Sequence, residues 1–260
     1  MMEDIYAFVL ALLLVYNNSL VLLGPTAWGT GVGPRKVLAV AVVAQLLGAA
    51  TSSMTPLRLD LAMFLYIALL YLLLSLAKIS LPVSVVGYAI SSFKPEAAVL
   101  WLTSPAVSLA TYVWCRILKR GGGLPLPSLF LVMYAFGYNN VALFSHNLIL
   151  TASATALGTY LGLGFSRWVA DLVALRSRTA VAINLSVAVG AFIGILAGIP
   201  ISFTLVAYSA MLVASYSFSM RVVKIEKFVK AYLGIVAALL AAFIFHVAEP
   251  LLRSPASQAS

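Results

Sequence analysis

The chain has 260 residues, of which 63% are hydrophobic and 9% are charged, and its mean hydropathy is +1.08. These values lie far outside the range of water-soluble domains, and the short alternating segments of a membrane β-barrel are not visible in the sequence. The net charge of +9 comes from basic residues in short clusters between apolar runs, which indicates topology signals and contact with lipid headgroups rather than nucleic-acid binding. The single cysteine, Cys115, excludes an internal disulfide and a cysteine metal cluster.

The apolar runs predict an all-α polytopic membrane protein with ten segments. They cover residues 5–23, 37–54, 59–77, 79–93, 97–115, 129–147, 148–166, 179–198, 199–219 and 231–248. A span needs about 20 residues, so the short segment 79–93, which contains Pro82, favours a broken or re-entrant element. The acidic start, MMEDIYAFVL, has no basic region or cleavage site, which predicts a retained first span instead of a signal peptide.

Two polar phrases occur twice, in the same order and at nearly the same spacing. The phrases are Tyr16-Asn17-Asn18, repeated as Tyr138-Asn139-Asn140, and 80-SLPVS-84, repeated as 198-GIPIS-202. They predict an internal repeat in which Pro82 aligns with Pro200 and Ser84 aligns with Ser202. The predicted units are a first repeat over 1–118, a connector over 119–128, a second repeat over 129–250 and a polar tail over 251–260.

The basic residues then predict the orientation of the two halves. If every segment crosses the membrane, one side collects all lysines and arginines except Arg58, Lys94 and Arg253. If segments 79–93 and 199–219 only dip into the membrane while the others cross, the basic residues divide evenly. The positive-inside rule favours the first arrangement, with both termini outside. An odd number of crossings in each half also inverts the second repeat relative to the first.

Inverted repeats with interrupted polar segments are typical of secondary transporters that bind their substrate near the midplane. An amide without a partner in hydrocarbon costs about 2–7 kcal/mol, so paired asparagines need partners there. Ser84 and Ser202 each follow a proline closely and are predicted to cap the next half-helix, whose free N–H groups favour an anion. The amides that can serve the broken helices are those of Asn17, Asn18, Asn139 and Asn140.

Several stretches carry a resemblance to a known family. The run 16-YNNSLVLLGPTAWGTGVGPRKVLAVAVVAQLLGA-49 is similar to NDVANAFGTSVGSG…LGA, and 135-AFGYNNVAL-143 is similar to AFAHGANDVAN. The phrases 80-SLPVSVVGY-88 and 198-GIPISFTLVAY-208 look like two PVSTTH hairpin tips, and 101-WLTSP-105 looks like a following W-x-x-SP sequence. In this order and spacing, the stretches resemble the inorganic phosphate transporter (PiT) family.

The resemblance implies a transporter of inorganic phosphate, or of a similar tetrahedral oxyanion such as sulfate, in the cell membrane. It implies broken or hairpin helices that meet near the bilayer midplane, a homodimer, and no cofactor apart from Na⁺ or H⁺ as a coupling ion. The substrate-binding positions that it implies are Asn17, Asn18, Ser84, Asn139, Asn140, Ser202 and Thr204.

The departures from the family's pattern concern its acidic residues. Asn18 and Asn140 stand where the family has aspartate, and Gln45 and Asn184 stand where it has glutamate. No carboxylate is left inside a predicted span to hold a sodium ion or relay a proton. These positions, together with His146, which could titrate near neutral pH or simply make a helix contact, are the candidates for ion or proton coupling. The pattern predicts coupling that is weakened or lost.

Two functions remain open at this point. The first is the anion transporter, as a carrier or a channel, and the second is a transporter-like protein that binds or regulates a partner without transport. An enzyme is not predicted, because the spans contain no acid, no histidine-rich metal site and no nucleophile-base pair. The tryptophans lie mostly near segment ends, as in an interfacial aromatic belt, and Trp101 alternatively flanks the first hairpin.

Overall fold

A computed structural model describes residues 2–92, 94–118, 124–171, 176–217 and 225–252. These residues form helices joined by turns and contain no strand, as the composition predicts. The helices are α1 (Met2–Leu22), α2 (Gly24–Gly29), α3 (Pro34–Thr51), α4 (Leu61–Leu76), α5 (Val83–Ser91), α6 (Pro95–Thr103), α7 (Ala110–Ile117), α8 (Pro125–Asn139), α9 (Leu148–Phe165), α10 (Ser177–Ala197), α11 (Phe203–Ser217) and α12 (Ile225–Leu252). Short 3-10 turns follow α6, α8 and α9, at Ser104–Leu109, Val141–Phe144 and Ser166–Asp171.

Six helical stretches in the described part of the chain are long and apolar enough to cross a bilayer. They are Met2–Gly29, Pro34–Thr51, Pro95–Ile117, Leu148–Val169, Ser177–Ala197 and Ile225–Ala248. Helices α4 and α11 are apolar but shorter. The prediction of a multi-pass helical membrane protein is confirmed. Residues 119–123 of the predicted connector and 253–260 of the predicted tail lie outside the described residues.

Helices α4 and α5 form a hairpin beside α1. The backbone N–H of Leu59, just before α4, donates to Glu3 Oε1 at 3.0 Å, and the rings of Tyr6 and Phe64 stack 4.7 Å apart. Helix α4 therefore runs alongside α1 in the same direction. Gly87 in α5 lies against Leu57, so α5 returns to the end of the bundle where α4 began, and segment 79–93 is the returning arm of this hairpin.

Helices α10 and α11 form a second hairpin. Thr111 Oγ1 in α7 donates to Ser186 Oγ in α10 at 2.8 Å, and Trp101 Nε1 in α6 donates to the carbonyl oxygen of Pro200 at 2.5 Å. The stretch from α6 to α7 thus runs opposite to α10. Gly190 in α10 lies against Val206 in α11, which shows that α11 folds back along α10.

Each hairpin turns after the same kind of helix end. Lys78 and Gly198 adopt left-handed backbone conformations, with φ of 58° and 64°. The N–H groups of Ile79 and Ile199, one residue later, bond back to the helix, at 2.8 and 2.9 Å. This is the Schellman motif, in which glycine is the usual left-handed residue. The turns that contain these residues, 77–82 and 198–202, are the backbone breaks of the two hairpins.

The matching helix ends correct the predicted alignment of the two halves. Because Lys78 corresponds to Gly198, Pro82 corresponds to Ser202 and not to Pro200. The helices support the same alignment, since α5 begins directly after Pro82 and α11 begins directly after Ser202. Ser84 therefore corresponds to Thr204. The two prolines occupy different positions in their turns, and matching them in the sequence shifted the alignment by two residues.

Two glycines allow one pair of helices, α3 and α8, to approach closely. Gly48 in α3 lies against the backbone of Tyr134 in α8, and Gly137 in α8 lies against the backbone of Gln45 in α3. No side chain would fit at either contact, so α3 and α8 pack backbone to backbone. This packing holds the end of α8, which carries Asn139, against the rest of the bundle.

Candidate functional site

The first asparagine pair lies within a continuous helix, α1. The helix continues to Leu22 and is interrupted at Leu23, so the pair does not itself break it. Asn17 is half-buried, and its Nδ2 donates to Ser80 Oγ at 3.0 Å and to the carbonyl oxygen of Leu81 at 3.3 Å. The Asn17 amide thus satisfies the open backbone of the first hairpin turn.

The second pair ends its helix. Asn139 is the last residue of α8, and it is fully buried. Its Nδ2 donates to the carbonyl oxygen of Ile199 at 3.0 Å, and its Oδ1 accepts from the N–H of Ile201 at 2.8 Å. Asn139 therefore forms hydrogen bonds to the second hairpin turn, as Asn17 does to the first.

The second asparagine of each pair bonds to the hairpin helix of the other half. Thr204 Oγ1, in α11, donates to Asn18 Oδ1 at 3.1 Å. Asn140 Nδ2 donates to Ser84 Oγ, in α5, at 2.6 Å and to the carbonyl oxygen of Ile201 at 2.9 Å. Ser84 and Thr204 are each the second residue of their helix, and each bonds to an asparagine of the other half, so the two contacts are crossed. These four residues and their contacts are called here the crossed cluster: Asn18 with Thr204, and Asn140 with Ser84.

The two serines that were predicted to cap the hairpin helices behave differently. Ser202 directly precedes α11, and its Oγ accepts from the N–H of Leu205 at 3.4 Å. Ser84 is not a cap, because it is the second residue of α5, whose N-cap position is held by Pro82 without a side-chain hydrogen bond. The prediction for Ser84 is wrong because the alignment of the two prolines placed it two residues too early in its turn.

The crossed cluster brings together the amino-terminal ends of α5 and α11. A helix amino terminus carries unpaired N–H groups and a partial positive charge equivalent to about half an elementary charge. The surrounding side chains are neutral: no Asp, Glu, Lys or Arg is buried among the described residues. The local field therefore comes from helix ends, amides and hydroxyl groups, an arrangement that favours an anion without an arginine.

Two buried amide oxygens have no hydrogen-bond donor among the described residues. They are Asn140 Oδ1, in the crossed cluster, and Gln45 Oε1, in α3, and both are buried. A buried acceptor without a partner is costly, typically about 1–3 kcal/mol. Such an oxygen can accept a hydrogen bond from a protonated ligand or coordinate a cation.

Two of the three candidates for ion coupling, Gln45 and Asn184, bond to hydroxyl groups on other helices. Gln45 Nε2 donates to Thr159 Oγ1 at 2.9 Å and joins α3 to α9. Asn184 is buried in α10, and its Nδ2 donates to Thr26 and Ser128 hydroxyl groups, at 2.9 and 3.1 Å. No hydrogen bond joins Gln45 or Asn184 to either asparagine pair in the described part of the chain.

His146 lies at the end of the bundle that contains the start of α1. Its Nε2 is 2.8 Å from the carbonyl oxygen of Leu57, and its Nδ1 is 3.8 Å from Glu3 Oε1. Leu59, which is bonded to the same carboxylate, lies at this end too. This end of the bundle is called the Glu3 end and is defined by Glu3, Leu59 and His146. His146 therefore contacts the segment before α4 and the first turn of α1, and its part in ion coupling stays a prediction.

Sequence reasoning missed two residues that hold the hairpin turns. Ser80 is bonded to Asn17, and its place in the repeated phrase 80-SLPVS-84 was the only signal for it. Trp101 is fully buried and donates to Pro200, so the aromatic-belt interpretation is wrong for this tryptophan. It bonds to the second hairpin turn, and its ring also lies edge-on to that of Tyr88 in α5, with the ring centroids 6.2 Å apart, so Trp101 flanks the first hairpin as well.

Comparisons with known proteins show the fold. No protein-family model matches the sequence, and no curated protein matches it. A solved structure described as the sodium-dependent phosphate transporter is similar to this chain, with a TM-score of 0.67 and 12% sequence identity, over 96% of this chain and 100% of that chain. At this identity the likeness concerns the fold, and it extends over essentially the whole of both chains.

Proposed function

We propose that this protein is a secondary transporter of inorganic phosphate, or of a similar tetrahedral oxyanion, in the cell membrane. The observation that carries the proposal is the crossed cluster, in which the second asparagine of each pair bonds to a residue at the amino terminus of a half-helix. The likeness to a solved phosphate transporter over 96% of this chain supports the same function. In this proposal, residues 1–118 and 129–250 are inverted repeats and both termini lie outside.

The substrate-binding groups in this proposal are neutral. The N–H groups at the starts of α5 and α11, with the amides of Asn18 and Asn140 and the hydroxyl group of Thr204, would surround the anion. Because the site contains no cation, the anion is held by dipoles that are weaker and easier to release than a guanidinium. Asn140 Oδ1, a buried acceptor without a donor, suits the remaining P–OH group of a singly or doubly charged phosphate.

The crossed hydrogen bonds supply a mechanism for alternating access. Asn18 and Asn140 each tie one half of the chain to the hairpin helix of the other. An anion that takes over these donors would release the hairpin helices from the opposite half. Movement of one hairpin against the other half would then open the site to one side at a time.

Ion coupling is proposed to be weak, because amides stand at the positions that the resemblance assigns to carboxylates. Gln45 and Asn184 are bonded to threonine and serine hydroxyl groups, which need no cation for neutralisation. A homodimer, as the resemblance implies, is part of the proposal.

The alternative function is a transporter-like protein that binds or regulates a partner. The observation in its favour is that all four asparagine side chains already have partners within the chain. Asparagines that are bonded in this way can act as a rigid support for the hairpins. The alternative predicts a folded protein without anion uptake.

The test is uptake of labelled phosphate and labelled sulfate into proteoliposomes, with and without inward sodium and proton gradients. The proposal expects uptake of at least one anion, little stimulation by either gradient, and loss of uptake in Asn140→Leu, which removes the amide at similar volume. Ser153→Ala, on an exposed hydroxyl group of α9, is the control and should transport normally. Absence of uptake by the intact wild-type protein would favour the alternative, and concentrative uptake would distinguish a carrier from a channel.

A further inference from the structure

A second polar feature lies at the Glu3 end, between the first hairpin and the turn of the second. A cavity of about 460 Å³ is lined there by Arg58, Lys94, Ser53, Ser91, Tyr88 and Gly198, among others. This volume is within the usual range for small-molecule sites, roughly 300–1,000 Å³. Its described lining residues include two cations and no carboxylate.

The cavity ends beside the second hairpin turn. Gly198 is the left-handed residue of the second hairpin turn, and the next residue, Ile199, accepts the hydrogen bond from Asn139. Asn139 and Asn140 are buried. The cavity therefore reaches the wall of the proposed substrate site from the Glu3 end and stops at the hairpin turn.

Membrane topology does not explain the two cations. The predicted orientation places almost all basic residues at the opposite side, because the cytoplasmic side attracts lysine and arginine. Only Arg58, Lys94 and Arg253 lie on the Glu3 side in that prediction. Two of these three line this one cavity, and Arg253 lies outside the described residues.

The acidic residues near Arg58 are engaged with backbone groups. Asp60 Oδ1 accepts from the N–H of Met63 at 2.8 Å at the start of α4, and Glu3 Oε1 accepts from Leu59. Glu96 lies in the first turn of α6 and does not belong to the described lining. These carboxylates keep their negative charge but lie outside the described lining, whose two charged side chains, Arg58 and Lys94, are both positive.

We propose that this cavity is an anion-collecting vestibule, in which Arg58 and Lys94 attract the tetrahedral oxyanion before it reaches the turn at Gly198. The identity of the anion rests on the proposed function, but the vestibule's preference for negative charge does not. A cleft that focuses one sign of charge raises the local concentration of the opposite ion. The attraction must weaken as salt shortens the Debye length from roughly 30 Å at 0.01 M to 8 Å at 0.15 M.

The first experiment measures this preference without transport. Cys115 is the single cysteine and is buried, so Ser91→Cys places one accessible thiol in the vestibule. The protein, in phosphatidylcholine vesicles, is treated with anionic and cationic methanethiosulfonate reagents, and the ratio of the two rates is divided by the ratio for a free thiol. At low salt we expect Ser91→Cys to react preferentially with the anionic reagent. Adding R58Q and K94Q to this variant should lower the corrected rate ratio on the order of tenfold, which is within the range for electrostatic focusing.

Phosphate and lipid are distinguished in the same vesicles. Inorganic phosphate should slow the labelling of Ser91→Cys, and this protection should be lost with R58Q/K94Q. If anionic phosphatidylglycerol slows labelling and inorganic phosphate does not, the cations hold a lipid headgroup and the proposal is overturned. The proposal is also overturned if the corrected rate ratio is the same with and without Arg58 and Lys94.

The second experiment connects the vestibule to uptake. In R58Q/K94Q, the KM for phosphate should rise several-fold at low salt while the maximal rate stays unchanged, and the difference should shrink at high salt. Lys36→Gln, an exposed lysine just inside α3, is the matched control and should leave KM unchanged. An unaltered KM in the double variant contradicts the vestibule. If the wild type transports no anion, the proposed function is wrong. The labelling ratios still test whether the cavity attracts anions.

Discussion

The crossed cluster makes a quantitative prediction for a double-mutant cycle. Asn140→Ala removes the donors to Ser84 Oγ, at 2.6 Å, and to the carbonyl oxygen of Ile201, at 2.9 Å. Each buried partner that is left unpaired costs about 1–3 kcal/mol, whereas coupling energies between polar groups in membrane helices average about 0.6 kcal/mol and reach about 1.7. The variant also removes the unpaired Asn140 Oδ1, which offsets part of the loss. We therefore expect destabilisation of about 1–3 kcal/mol.

The cycle with Ser84→Ala separates the contact from these other effects. Because Asn140 and Ser84 bond directly, their coupling energy should be about 0.6–1.7 kcal/mol, the range for membrane proteins. The same value is expected for Asn18 with Thr204, whereas Asn140 with Thr204, which make no hydrogen bond with each other, should be additive within about 0.5 kcal/mol. Reversible unfolding in mixed detergent micelles, followed by circular dichroism, gives the four free energies of each cycle.

The result that would refute the reasoning is specific. If Asn140 and Ser84 are additive, or if Asn140 couples to Thr204 as strongly as to Ser84, the crossed arrangement is wrong. Loss of stability in the single variants alone would not support it, because any buried asparagine can be costly to remove.

Three further predictions concern the packing of the helices and the hairpin turns. Gly48→Ala and Gly137→Ala should each destabilise the protein by about 1–3 kcal/mol or more, because the added methyl groups overlap the backbone of the facing helix; Gly164→Ala, in open space within α9, should be neutral or stabilising in the same thermal-unfolding assay. Lys78→Gly should stabilise and Gly198→Ala should destabilise, each by about 1 kcal/mol, since both residues are left-handed and only glycine adopts that conformation without cost; equal unfolding midpoints for all three proteins would contradict this. Trp101→Phe should cost about 1–3 kcal/mol, because the buried carbonyl oxygen of Pro200 loses its donor, and faster proteolysis at residues 198–202 should accompany the loss.

The sequence was sufficient for the fold class because its signals are long and redundant. Apolar runs of span length and a low content of charged residues specify a multi-pass helical protein. The order of the asparagine pairs and proline turns also brought the right segments together. The structure pairs Asn17 with the turn after α4 and Asn139 with the turn after α10, two segments that the repeat had already matched.

The details of the site were harder to predict because they depend on alignment by one or two residues. Proline is conspicuous in a sequence, but Pro82 and Pro200 lie at different positions in their turns. The features that correspond are backbone conformations, the left-handed Lys78 and Gly198, and one of these is a lysine that gives no signal of a helix end. The crossed hydrogen bonds of Asn18 and Asn140 depend on which half of the chain each amide faces. A local sequence pattern does not predict this.

The separation along the chain of the crossed partners has a consequence for biogenesis. Asn18 and Thr204 are 186 residues apart, so at a synthesis rate of about 5–20 residues per second, roughly ten to forty seconds pass before the partner of Asn18 exists. Asn18 Nδ2 bonds within α1, but during that time Asn18 Oδ1 and the hydroxyl group of Ser84, which pairs with Asn140, must bond to water, lipid headgroups or the insertion machinery. The centre of the protein is therefore the last part to close, and a chain that stops after α9 would hold Asn18 in the membrane without its partner.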